Sequence, residues 1–240
     1  MNQVYYGDWT AGEADIRLWA RMAGHAGLIL DIGSHIGHFA LVAGATNTRA
    51  SVHAFEPLPR IAHALRENVA AMRLTNVTVH QVALSDRTGS ASFFAVPDGM
   101  PSSSSLSKSF MDHGHQDLSQ TEVTLDTLDH LALDTAQVTL MKIDTETTED
   151  DVIRGGAGFL RKVRPVMFVE VLDTVEADRR IEAAIDALDV PYDFYLLTGA
   201  GPVKRDRLIA DPRWRNYLLV PRSGRSHDAL GALVQPVAGG

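Results

Sequence analysis

The chain has no cysteine among its 240 residues. Disulfides and thiolate chemistry are therefore excluded. Basic residues are also scarce: Lys and Arg number 22 against 30 Asp and Glu, a net charge of −8. A sequence-independent nucleic-acid binder needs a basic footprint, so no nucleic-acid partner is expected. No apolar run approaches the roughly 20 residues of a membrane-spanning helix. The first twenty residues carry Asp8, Glu13 and Asp15 and no apolar core, unlike a secretory signal. These absences lead to the expectation of a cytoplasmic protein with no membrane partner. Oligomeric state is not legible. Hydrophobic residues make up 45% of the chain, ample for one large core.

What is present is an alternation of short apolar runs with helical periodicity. Ile16, Trp19, Ala20 and Ala23 predict a helix over 11–24. Strands follow at about 28–32 and 51–55, separated by a helix over 36–45 with Phe39, Val42 and Ala43 inward. Pro57 and Pro59 suit the first turn of a helix whose apolar face is Ile61, Leu65, Val69 and Met72. A third strand is expected over 77–84. Residues 90–96 and 121–125 read as a hairpin arm, with Phe93 and Phe94 packing it. Residues 97–120 between them hold Ser102 to Ser105, His113 and His115, and suit a lid. A fourth strand over 138–143 leads into a helix. There Thr148 and Asp151 resemble a capping box, and Glu149, Asp150 and Asp151 suit the positive helix end. A fifth strand over 166–171 and a helix marked by Ile181, Ile185 and Leu188 come next. Late strands over 192–197 and 217–220 are joined by a loop with Gly199, Gly201 and Pro212. A tail from 223, with a short helix near 228–233, is expected to be flexible. The alternation predicts an α/β fold: a mostly parallel sheet with helices on both faces. No linker divides it, so one domain over 1–222 is expected, with the insertion at 89–125.

The chemistry concentrates at Leu28 to Gly37. An apolar strand ends in Asp31, and Gly33 and Gly37 then let the chain turn so that backbone N–H groups face a ligand. Glu56 closes the second strand, where a carboxylate can accept both ribose hydroxyls of a nucleoside. A dinucleotide fingerprint needs a second glycine where His35 stands. An acid two residues before Gly33 would repel a pyrophosphate, but it suits the amino group and sulfonium of S-adenosylmethionine (SAM). The spacing Asp31-x-Gly33-x-x-x-Gly37 with Glu56 therefore favours SAM over NAD. The plainer roles are a capped turn for Asp31 and a solvated loop acid for Glu56.

Five blocks together resemble the FkbM-type methyltransferases: 31–40 (Asp-Ile-Gly-Ser-His-Ile-Gly-His-Phe-Ala), 53–57 (His-Ala-Phe-Glu-Pro), 76–86 (Asn-Val-Thr-Val-His-Gln-Val-Ala-Leu-Ser-Asp), 142–146 (Lys-Ile-Asp-Thr-Glu) and 164–171 (Arg-Pro-Val-Met-Phe-Val-Glu-Val). The resemblance implies a SAM-dependent O-methyltransferase of sugars or small molecules. It also implies a seven-stranded Rossmann-like class I sheet whose last strand runs antiparallel. It assigns Asp31, Gly33 and Gly37 to the methionine end of SAM, with His35 and Ile36 in the same turn, and Glu56, followed by Pro57, to the ribose. Ala83, Leu84, Ser85 and Asp86 would border the adenine, and Asp144 would lie near the methyl group. Two positions depart from the family: His35 replaces its usual Asn, and Thr147 replaces the Gly of Asp-x-Glu-Gly.

Methyl transfer to a hydroxyl needs alignment and a base. Asp144 and Glu146 are the first candidates, then Glu170, then His35, His38, His113 and His115. Asp144 could instead orient the amino group of SAM, and Glu146 could serve the helix start. No metal is expected. Two other readings stand beside this one: a non-catalytic SAM-binding module, suggested by Thr147, and an NAD-dependent oxidoreductase. Acceptor choice is expected to lie in 97–120, around Tyr5, Tyr6 and Trp9, and in the 199–213 loop.

Overall fold

A computed structural model describes residues 9–95, 104–105, 119–173 and 176–235. Helix α1 (Trp9–Ala23) leads into β1 (Leu28–Ile32), α2 (His38–Thr46), β2 (Ser51–Phe55), α3 (Pro59–Ala71) and β3 (Val77–His80). A second, smaller sheet is then built from β4 (Ala83–Leu84), β5 (Gly89–Ala95), β6 (Ser104–Ser105) and β7 (Ser119–Asp126). The chain returns as β8 (Thr139–Ile143), α4 (Glu149–Gly155), α5 (Ala157–Val163), β9 (Val166–Glu170), α6 (Ala177–Asp186), β10 (Tyr192–Thr198), β11 (Gly201–Arg205), β12 (Asn216–Pro221) and α7 (Arg225–Leu230).

The main sheet has the order β11-β10-β12-β9-β8-β1-β2-β3. Strands β3, β2, β1, β8 and β9 are parallel neighbours, while β12 runs antiparallel between β9 and β10. The sheet is mixed, with eight strands rather than the expected seven. The extra one, β11, forms inside the expected 199–213 loop, where Gly201 turns the chain back against β10. Thr198 Oγ1 donates to Gly201 O at 2.8 Å and closes that turn.

The central strands β1, β8 and β9 bury both faces, as a parallel sheet covered by helices requires. Leu140, Phe168, Leu197 and Leu218 pack beneath α1 and α2 with Trp19, Met22 and Ala43. Met141, Ile143, Val169 and Leu219 pack on the other face with Val152, Leu160 and Ile181 from α4, α5 and α6. Trp19 pins α1: its ring meets Phe39 and Phe168 edge-on at 5.4 and 5.3 Å, and Nε1 donates to Phe39 O at 3.0 Å. Such aromatic pairs add about 0.5–1.5 kcal/mol each beyond burial.

Other expectations are corrected. The strand expected over 77–84 is two: β3 ends the main sheet, and β4 pairs with β7 in the second. Apolar residues on both sides of the break conceal the change of sheet. Thr148 precedes α4 but makes no capping bond with its side chain; Glu149 turns back instead onto the preceding loop. The short helix expected near 228–233 forms, as α7 from Arg225 and a 3-10 turn over Gly231–Leu233, and it is packed rather than loose. Leu230 is fully buried, and Ser226 Oγ accepts the Thr139 N–H at 3.0 Å. Met72, expected on the inward face of α3, is 48% exposed just past its end. The hairpin arm forms as β5 and β7, running from Gly89 opposite Leu125 to Ala95 opposite Ser119, with Phe93 buried. Ser102, Ser103, His113, His115, Tyr5 and Tyr6 lie outside the described residues. Among the described residues no helix is long and apolar enough to cross a membrane.

Candidate active site

Strands β1, β2, β8 and β9 end at one edge of the sheet, where open α/β sheets take their ligands. The turn after β1 is fixed there by backbone bonds: Gly33 N and Ser34 N both donate to Phe55 O, at 3.1 and 2.9 Å. Gly33 has φ +78°, and a Cβ built on it would lie 1.7 Å from Asp144 O. Only glycine fits so close to the end of β8. Gly37 has φ +98°, with Leu65 in the way of any side chain. His35 is also left-handed, at φ 50°. Asn and His are both enriched in that region, so His can stand in for the family's Asn without changing the path of the chain.

Glu56 is 5% exposed, and its two oxygens are shared out. Oε1 accepts from Leu58 N at 2.9 Å and Oε2 from His35 N at 3.1 Å. It thus ties the first turn to the second strand, and each oxygen keeps a free lone pair. Burial raises its pKa to about 7. Asp31 is 1% exposed; Oδ2 accepts from Ala40 N at 2.9 Å, while Oδ1 has no partner among the described residues. One oxygen therefore caps α2 and the other is a buried acceptor left for a donor. Burial raises its pKa to about 6. Pro57 is buried beneath this turn, and Ile36 is exposed on it. Ala83, Leu84 and Ser85 are buried on the α4 flank, where a Cβ on Gly155 would meet Ser85 O at 1.9 Å. Asp86 is surface-exposed there and pairs with Arg87.

Around Asp144 the structure gathers what the sequence reading named separately. Asp144, Glu146 and Glu170 offer carboxylate oxygens within 4.8 Å of one another. Lys142, 6% exposed, reaches Asp144 Oδ2 at 2.6 Å and lies 4.7 Å from the centre of the Phe39 ring. Burial opposes charge on both members of this pair, but each stabilises the other: Asp144 is held below its usual pKa and Lys142 above. Glu170 is pushed well above its usual pKa by burial and the charge of Asp144, and donates a hydrogen bond to it. Glu146 rises to about 8 through burial and then the neighbouring Asp144 and Glu149 charges. One anion, one buried cation and two proton-carrying acids result.

Lys142 and Asp15 were not read as site residues. The signal for Lys142 is a charge inside the apolar run of β8, where a charge must have a partner. Asp15, 6% exposed on α1, accepts from Asn216 Nδ2 at 2.8 Å and feels the Lys142 charge. Glu149 is a further buried acid: Oε1 accepts from Thr145 N at 2.8 Å and Thr147 N at 3.2 Å, and burial raises its pKa to about 7. Of the histidines named as candidate bases, the His35 ring lowers the pKa of Asp144 by its charge, and His38 is an exposed residue beginning α2.

Thr147 holds φ 86°, a backbone state that glycine reaches freely and a β-branched residue does not. Its Oγ1 is buried without a partner among the described residues. Left-handed strain of about 1–2 kcal/mol and an orphaned hydroxyl of about 1 kcal/mol or more outweigh the entropy cost of glycine, about 0.5–1 kcal/mol. Thr147→Gly is therefore expected to raise the melting temperature by about 2–6 °C. Scanning calorimetry showing no rise would remove strain as the account.

The raised carboxyls also fix a pH dependence. Glu56, Glu146 and Glu149 keep protons when folded up to about 7, 8 and 7, whereas their ordinary value is 4.5. The folded state thus binds more protons than the unfolded chain, and stability falls as pH rises through the folded values. From pH 6.5 to 8.5 the ligand-free protein should lose on the order of 2 kcal/mol, discounted for partial exposure. A melting temperature flat across that range would contradict the burial of these acids. Below about 6.5, His53 and His80, whose values burial lowers, act in the opposite direction.

A family model described as the methyltransferase FkbM domain matches residues 31–192. Over 169 residues the chain is 28% identical to 31-O-demethyl-FK506 methyltransferase FkbM of Streptomyces tacrolimicus, covering 68% of this chain and 61% of that relative. Among solved structures it is similar to methyltransferase FkbM from Methylobacillus flagellatus KT: TM-score 0.53, 16% identity, 81% of this chain and 43% of that one. It is likewise similar to a ribosomal protein L11 methylase from Lactobacillus delbrueckii subsp. bulgaricus: TM-score 0.50, 14% identity, 91% and 81% covered. At these identities the two structures speak to the fold. The chain spans about three fifths of its curated relative's length. The family match covers well over half of this chain, from Asp31 near the end of β1 to Tyr192 at the start of β10, and the chain belongs to the methyltransferase FkbM domain family.

Proposed function

We propose that the protein is a SAM-dependent methyltransferase that methylates a hydroxyl on a sugar or small-molecule natural product. The observation that carries this is the Lys142–Asp144–Glu146–Glu170 cluster standing against Gly33, with Asp31 and Glu56 beside it. When bound, SAM supplies a methyl group activated on a sulfonium. The residues fit it. Asp31 Oδ1 is a buried acceptor with no partner among the described residues and suits an ammonium, Gly33 and Gly37 leave the backbone bare, and the remaining Glu56 lone pairs suit two ribose hydroxyls.

Lys142 keeps Asp144 ionised at neutral pH. Asp144 holds its negative charge beside the acceptor oxygen and the sulfonium, and proximity and alignment supply much of the rate. Glu146, with a pKa near 8, suits removal of the hydroxyl proton, because a base works best close to the operating pH. Glu170 shares its proton with Asp144 and limits the charge of the cluster.

Calorimetry tests the cofactor, and methyl-labelled SAM with fractionated small-molecule and glycan extracts tests the reaction. Saturable heat with SAM and label that survives mild alkali are expected, since a methyl ether resists base and a methyl ester does not. Heat with NAD and none with SAM would sink the proposal. Tight SAM binding with no label in any fraction would point to a non-catalytic SAM-binding module.

A further inference from the structure

The sheet edge that carries Asp144 does not stop at β9. Strands β9 and β10 both run antiparallel to β12, so β10 also ends on this edge, at Thr198, and β12 begins on it. Asn216, the first residue of β12, stands in register with Glu170. Its side chain bonds to Asp15 on the α1 face of the sheet. Lys142 lies on that same face, against Phe39. A polar row therefore runs from Lys142 and Asp144 through Glu170 and Asn216 to Asp15. It leads to a groove of about 450 Å³ between α1 and the β10–β11 turn.

That size is in the range of small-molecule sites. Leu18, Leu197 and Pro202 give the groove apolar walls, Asp15 lies at its inner side, and Arg17 and Arg21 stand along α1. Arg17 is paired with Glu13 at 2.9 Å. Arg21 donates to the neutral carbonyl of Leu233, which leaves its charge uncompensated by that bond. The β10 wall is two strand spacings from Glu170, about 10 Å, a gap that a substituted sugar ring bridges. Charge orients whatever enters: at the Asp144 end the Lys142 cation is already paired with Asp144 and offers nothing to an anion, whereas Arg21 attracts one.

We propose that this groove is the acceptor site, and that the acceptor is an anionic sugar lying with a free hydroxyl toward Asp144 and its acidic group toward Arg21. This rests on the methyltransferase reading and adds the place and chemical class of the acceptor to it.

Ligand-observed NMR on the full chain with saturating SAM separates the possibilities, using glucuronate, glucose 1-phosphate and glucose as probes. At least one of the two anions should bind about tenfold or more tightly than glucose. Preference between them tells a carboxylate from a phosphate ligand. Arg21→Ala should erase that preference. Ala200→Trp, at an exposed position on the groove, should abolish sugar binding. Both variants should bind SAM within about twofold of the parent. Equal binding of all three probes, binding of none, or sugar binding that survives Ala200→Trp would each overturn the groove. Absence of SAM binding in the parent chain would instead fail the methyltransferase reading.

Discussion

Glu56→Ala is expected to weaken SAM binding by about 100-fold or more, the larger effect of any single change on the cofactor side. Two separate losses combine. The carboxylate is the proposed acceptor for both ribose hydroxyls, and hydrogen bonds to a charged group contribute about 1.5–3 kcal/mol each. Two of them correspond to at least 100-fold in affinity. The same oxygens hold the N–H groups of His35 and Leu58, and an orphaned buried donor costs about 1–3 kcal/mol. The β1 turn would loosen and the melting temperature would fall with it. Glu56→Gln separates the two, since its amide still offers one acceptor to the backbone but no charge. The parent protein gives a further signature. Glu56 titrates near 7, so SAM affinity should climb from pH 6 to pH 7 and level off near 8. Glu56→Ala should remove the part of that slope that Glu56 supplies. Calorimetry that finds unchanged affinity in a folded Glu56→Ala protein would take the ribose role away from this residue.

What the sequence discloses is uneven for physical reasons. Strands β1 and β2 are legible to the residue, because a strand buried on both faces is a short apolar run with polar punctuation at each end. The same rule hides the break between β3 and β4. Ala83 and Leu84 are apolar whichever sheet they join, and only pairing with Leu125 and Asp126 of β7 decides. Strand β11 is invisible because Gly201, Pro202, Lys204 and Arg205 show no alternation; it exists as an edge strand supported by β10 alone. Within the site, Asp31, Glu56 and Asp144 stand out as acids at strand ends. Asp15 does not, since one acid on an amphipathic helix looks solvated until Asn216, 201 positions away, is seen to cover it. Thr147 was legible as an exception but not in its consequence: the structure keeps a glycine-like backbone state there and gives the threonine hydroxyl no partner among the described residues.

Asp144→Asn should lower kcat by about 10²–10³-fold while SAM affinity stays within several-fold, and this split separates a chemical role from a binding one. Asn keeps the shape and leaves a carbonyl oxygen to accept from Lys142, so the loop after β8 has no steric reason to move. What disappears is the negative charge that Lys142 is positioned to maintain. Lys142 must then find its counter-charge in Asp31, which it already stabilises. Without the Asp144 charge beside it, Glu146 has less reason to hold its proton, so its pKa should drop below about 8. The ascending limb of the pH–rate profile should therefore move toward lower pH in the variant, with the residual rate carried by Glu146. Glu146→Gln in the same background should remove that residual rate. If Asp144 only orients the amino group of SAM, the outcome reverses: affinity falls by about tenfold or more, kcat changes little once SAM is saturating, and the pH profile keeps its shape. Single-turnover rates at saturating SAM, measured across pH 6 to 9 on both variants, decide between these roles.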